Sequence, residues 1–144
     1  MTEILGIDGF VFARLSADAD LAAIVDDRIY ARMAPQGAAY PLVVWATQAA
    51  SDLVGPGAAR IWASALVQVQ AIGPAPATGL QAIAARIDAC LHGAPPQIIA
   101  VGGRQYQIHG AQREGVLDFT SEIAGQVFVH LGGLYRIWCT EIGG

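Results

Sequence analysis

The chain has 144 residues and a mass of 15.0 kDa, enough to bury a full core as one domain without disulfide staples. Hydrophobic residues make up 54% of it and charged residues only 14%, against roughly one quarter in a typical soluble domain, so few charges remain to coat an isolated monomer. A formal net charge of −4, from eight basic and twelve acidic residues, argues against a nucleic-acid-binding domain, whose footprint is a basic patch or stripe.

Charged residues other than Arg are depleted at protein interfaces, so this composition predicts a surface covered in large part by neighbouring subunits. A GC-rich genome writing Ala, Gly and Arg accounts for the same bias, including the use of Arg for every basic residue. Cys90 and Cys139 read as two buried thiols of an intracellular chain rather than a disulfide. No basic region precedes an apolar stretch at Met-Thr-Glu-Ile, and no apolar run reaches membrane-spanning length, so a soluble protein made in a cytoplasm is expected.

In chain order, Ile4, Ile7, Val11 and Leu15, with Phe10 beside them, recur at helical spacing and predict an amphipathic helix whose start Gly6 and Gly9 weaken. Ser16 to Asp20 is a break rich in capping residues, and Leu21, Ile24 and Val25 predict a short second helical turn. Strands begin near Arg28. Leu42 to Ala50 reads as a strand apolar on both faces near its start, and Ser51 to Ala59, with Gly55, Pro56 and Gly57, as the loop that reverses the chain. Arg60 to Ile72 alternates cleanly, with Ile61, Ala63, Ala65, Val67 and Val69 on one face and Trp62, Ser64, Leu66, Gln68 and Gln70 on the other.

After Pro74 and Pro76, Thr78 and Gln81 match a capping box, and Leu80, Ile83, Ala84, Ile87 and Leu91 form one apolar stripe that Gly93 closes. Pro95 and Pro96 end that helix. Strand segments follow around Gln105–Gln112, Gly115–Phe119, Val127–Leu131 and Leu134–Thr140, and the pairs Gly102-Gly103 and Gly132-Gly133 read as turns. This order predicts an α+β single domain over residues 1–144. Its sheet is mainly antiparallel or mixed, with two main helices packed on one face.

Catalytic groupings are weak. Cys90 and His92 stand two apart on a predicted helix and address different faces, and His109 and His130 lie elsewhere, so neither a nucleophile–base pair nor a metal site is indicated. Glu114, Asp118 and Glu122 read as a solvated edge strand that resists unwanted pairing rather than acid–base carboxylates. The glycine pairs lack the strand–loop–helix context of a phosphate cradle. No enzyme activity and no cofactor are expected.

The most specific segment is Arg28–Trp45, RIYARMAPQGAAYPLVVW, where Pro35 and Pro41 fix φ and Gly37 permits turn geometry between two strand-like runs. Its order of Arg-Ile-Tyr, Ala-Pro-Gln-Gly-Ala, Tyr-Pro and a hydrophobic strand resembles the phage tail terminator and tail completion proteins, small subunits that close the head-proximal end of a siphophage tail tube. An N-terminal helix before Arg28, a helix after the Leu66–Ala71 strand and the ending GGLYRIWC, Gly132 to Cys139, extend the resemblance over most of the chain, whereas Gly102 to Gln105 matches nothing in it.

The resemblance implies a non-enzymatic virion protein at the head-proximal end of a tail. It implies a homo-oligomeric ring, a hexamer by analogy, with tail tube protein on one side and a head–tail connector or stopper protein on the other. DNA would pass through without specific binding, and no membrane is involved. Arg28, Tyr30, Arg32, Gln36 and Tyr40 are the expected interface residues. Asp52, Glu114, Asp118 and Glu122, or polar Gln side chains, are the expected lining of a neutral or acidic pore, with the arginines used mainly in subunit contacts. Alternatives are a neck or stopper connector and, from another class, a small bacterial binding module that dimerises through its apolar surface.

Overall fold

A computed structural model describes residues 2–58 and 60–143 of the chain. In order, the elements are α1 (Glu3–Ser16), α2 (Ala19–Val25), β1 (Ile29–Ala31), β2 (Leu42–Val54), a 3-10 turn (Pro56–Ala58), β3 (Arg60–Pro74), α3 (Leu80–Leu91), β4 (Gln97–Val101), β5 (Arg104–Ile123) and β6 (Gln126–Gly143). The strands form one sheet in the order β1-β2-β3-β6-β5-β4. β1 runs parallel to β2 and every other neighbouring pair is antiparallel, so the architecture is α+β with a mixed sheet.

One hydrophobic cluster ties the elements together. Ile7, Phe10, Val11 and Leu15 of α1, Leu21 and Val25 of α2, and Leu80, Ile83, Ile87 and Leu91 of α3 meet inward side chains of the sheet, among them Val43, Trp45, Ala65, Val67, Val69, Tyr106, Ile108, Tyr135 and Ile137. Three helices therefore contribute to the core, where the sequence suggested two main ones. α2 is only seven residues long, but Asp18 caps it by accepting from Leu21 N and also holds Arg86 of α3, fixing it to its neighbour. The small residues Ala63 and Ala65 let helices approach the sheet, as the alternation in β3 predicts, although Ile61 at its start is exposed. Burying each large aliphatic side chain contributes about 1.5–3 kcal/mol.

Glycines mark the closest approaches. A Cβ at Gly6 would lie 2.5 Å from Cγ of the buried Tyr106, and one at Gly9 would lie 2.7 Å from Val101 Cγ2, so the residues that lower intrinsic helicity in α1 are the ones that let it sit on β4 and β5. Gly132 and Gly133 are not a turn but the middle of β6, where a Cβ at Gly132 would lie 2.0 Å from Val69 O of β3. The turns are elsewhere: Gly102-Gly103 joins β4 to β5, as read from the sequence, and Ala124-Gly125 joins β5 to β6. Both have two positive φ values in succession, as tight hairpins require.

Three other expectations change. α3 begins at Leu80 with Gly79 in the left-handed region as its N-cap, so Thr78 and Gln81 do not form a capping box. β2 continues through Ser51–Val54, confining the reversal to the 3-10 turn beyond it; Ala59 lies outside the described residues. The four strand segments expected after residue 104 are two long strands, and Gln97–Val101 adds a fifth-neighbour edge that the sequence reading did not assign. Among the described residues no helix is long and apolar enough to cross a membrane.

Candidate assembly surface

The Arg28–Pro41 loop is held at its base by the first of its arginines. Arg28 Nε donates to Pro41 O at 2.9 Å and its Nη2 to Ile24 O at 3.2 Å, joining the end of α2 to the entry of β2. Arg32 donates its backbone N–H to Trp45 O and pairs through Nη2 with Asp8 Oδ2 at 3.0 Å, while Asp8 Oδ1 accepts from Trp45 Nε1. Both side chains act inside the chain. Between them, Ala38 N–H donates to Pro35 O across the Gly37 turn, presenting Met33, Gln36 and Tyr40 to solvent. Tyr40 is 43% exposed and rests its ring on Phe128 of β6 at 5.0 Å, and Tyr30 is half-buried on β1.

The second exposed region is the far end of the β5–β6 hairpin. Val116, Phe119, Ile123 and Val127 are all exposed there. At its root His130 joins three strands, stacking on Phe119 at 4.4 Å and hydrogen-bonding Ser121 Oγ and Gln70 Oε1; burial holds its pKa below the usual histidine value.

The four carboxylates proposed for a pore divide into two pairs. Asp52 lies 3.3 Å from Arg60 Nε, and Glu114 forms a forked pair with Arg136 at 2.9 and 3.1 Å that keeps its carboxyl below the ordinary range. Asp118 and Glu122 have no basic partner among the described residues and share one face of the hairpin, as the two-residue period of a strand dictates. Six of the eight arginines, 32, 60, 86, 104, 113 and 136, form ion pairs within the chain. Each of these already has a carboxylate partner within the chain, and only Arg14 and Arg28 lack one among the described residues.

Cys90 and Cys139 are buried free thiols, and burial lifts both, Cys139 to about 12, so neither is a thiolate at neutral pH. His92 Nδ1 accepts from Arg113 N–H. The groove between α1 and α3, about 440 Å³ and lined by Arg14, Asp18, Arg86 and Cys90, is crossed by the Asp18–Arg86 ion pair. Among the described residues no three His, Cys, Asp or Glu side chains are gathered to hold a metal ion.

A family model described as "Tail completion protein gp17" matches residues 10–135. A chain from a solved structure described as "Virion of native gene transfer agent (GTA) particle" superposes with a TM-score of 0.59 at 20% identity, covering 89% of this chain and 91% of that chain, a likeness of fold. None of the curated proteins matches this chain.

Proposed function

The chain belongs to the tail completion protein gp17 family, a structural component of virion tails, and from that premise we propose that its copies form a hexameric ring that terminates the tail tube and joins the tail to the head. The observation that carries this reading is the family match, which runs from the middle of α1 through β5 and into the first half of β6. The physical support is the distribution of charge and apolar surface. Ion pairs within the chain use up most of the charged side chains, leaving exposed apolar groups on the loop, the β2–β3 turn and the β5–β6 hairpin for contacts with other copies and with the tube.

In this reading Gln36, Met33 and Tyr40 make contacts, while Arg28 and Arg32 preorganise the loop that carries them, lowering the entropy lost on docking. Tyr30 lies at the edge of the same surface. Asp118 and Glu122 remain the carboxylates available to face a channel, and Asp52 and Glu114 contribute little field because each is neutralised by an arginine. DNA then passes a wall that is neutral or weakly acidic and makes no specific contacts. Native mass spectrometry of the protein, alone and with tail tube protein, tests the ring. Six 15.0 kDa copies, roughly 90 kDa, are expected. A dimer mass in every condition contradicts it.

A further inference from the structure

The sheet has two backbone edges that extend beyond their short outer strands, β1 and β4. β1 pairs with β2 only at Val43–Trp45, so that side of residues 46–54 has no strand partner. β4 pairs with β5 only at Arg104–Ile108, and the turn after α3 takes up the next part of that edge, with Gly93 N–H donating to Ala111 O and Arg113 N–H to His92 Nδ1, leaving residues 115–123 open among the described residues. Free edges of this length are templates for another strand, and proteins blunt them with Lys, Pro or bulges. Neither segment contains Lys or Pro, and its charges, Asp52 on β2 and Asp118 and Glu122 on the open part of β5, leave Ala49–Ser51 and Phe119–Ser121 uncharged. Bulges interrupt β2 near Gln48 and β5 near His109 and Glu114, yet the register is unbroken over Ala49–Leu53 and Gly115–Ile123. Seven of the fourteen exposed large apolar side chains flank these edges: Leu53, Val54 and Ile61 beside one, Val116, Phe119, Ile123 and Val127 beside the other.

We propose that the open edge of β5 in one copy pairs with the open edge of β2 in the next, so that the sheet runs on from subunit to subunit. This rests on the ring reading above and names its lateral contact. A second copy is the occupant because the two edges lie on opposite sides of one sheet: each copy offers one and needs the other, the heterologous arrangement that closes into a ring. Pairing β5 with β5 stops at a dimer and leaves both β2 edges open.

Strand direction agrees. β2, β3, β6 and β5 alternate, so β2 and β5 run in opposite directions within a copy. Rotation about an axis near the strand direction preserves this, and the junction is antiparallel, the more stable pairing. Through the ladders Phe119 is level with Leu42, whereas Ser51 is level with Gly110, so the open segments are offset along the strands. Neighbours therefore meet with a stagger of several residues, the shear that tilts strands in a closed barrel.

Single-cysteine variants at each position from 115 to 123, mixed with variants at each position from 49 to 53, test the contact by mild oxidation of assembled protein. The native thiols are buried and do not compete. Disulfides form only where Cα atoms come within about 4.4–6.8 Å. The expected result is a series of β5–β2 crosslinks in which the position on one strand rises as that on the other falls. Crosslinks only between β5 strands, or none in particles whose native mass is that of a ring, overturn the edge pairing and leave the ring standing. Absence of any assembly, alone or on tail tubes, removes the ring and the edge contact together.

Discussion

The two ends of the β5–β6 hairpin are built from the same two strands and meet opposite environments. At one end Tyr106, Ile108, Tyr135, Ile137 and Cys139 are buried in the cluster that includes the helices; at the other, Val116 and Ile123 are 63% and 61% exposed. Strand propensity is similar at both ends, so it does not decide burial. The reach of the helices does: α1 and α3 cover the inner half and end before the hairpin tip. The inner half holds the core of this chain, and the outer half carries exposed apolar side chains that the helices do not reach.

Gly132 sits between these ends and gives the largest expected effect. A Gly132→Ala side chain meets backbone atoms of Val69 and Gln70 that have no free direction to move, so β3 and β6 separate locally. A loss of more than about 3 kcal/mol in chemical denaturation is expected. A near-neutral change would show that the strands are not so closely apposed.

Matched truncations sharpen the contrast. Ile137→Ala in the fully buried half should cost about 2–5 kcal/mol of stability. Ile123→Ala at the tip should stay within about 0.5 kcal/mol in the isolated subunit and weaken assembly instead. Equal losses of stability at the two positions would erase the distinction.

Tyr106 carries a smaller effect of the opposite sign. Its hydroxyl is buried with no hydrogen-bond partner among the described residues, so Tyr106→Phe should stabilise the fold by about 1 kcal/mol. A lower melting temperature for this variant would mean that the hydroxyl is satisfied after all.

The smallest expected effect is pH dependence at the root of the hairpin. Burial lowers the His130 pKa, so between that value and the unfolded 6.5 the unfolded chain binds the proton more tightly. Stability from this group is therefore complete above pH 6.5 and lost as pH falls below it. Amide exchange near Ser121 and Phe119 should quicken from pH 7.5 to 5.5, corrected for intrinsic rates, and His130→Gln should flatten that change.

Much of the inner half was legible in the sequence. Periodicity in α1, β3 and α3 identifies Ile7, Val11, Leu15, Ala65, Val67, Ile83 and Ile87, all buried, because one helix stripe or strand face is a local signal. The hairpin was not. Bulges at His109 and Glu114 reverse the phase of β5, and Gly132-Gly133 imitates a turn where it serves close strand contact. The α3 cap was misplaced because Thr78 and Gln81 fit the pattern while Gly79 takes the left-handed conformation. The ion pairs within the chain were not legible, because partners such as Glu3 for Arg60 and Glu141 for Arg104 lie far away in sequence. Of the candidate surface, the loop carrying Gln36 and Tyr40 was visible from its prolines and glycine; the open edges follow only from strand order.

Electron microscopy of the purified protein mixed with tail tubes tests the central claim most directly. The account predicts a sixfold ring seated on one end of each tube. Tubes bare at both ends, with the protein remaining monomeric beside them, would contradict it.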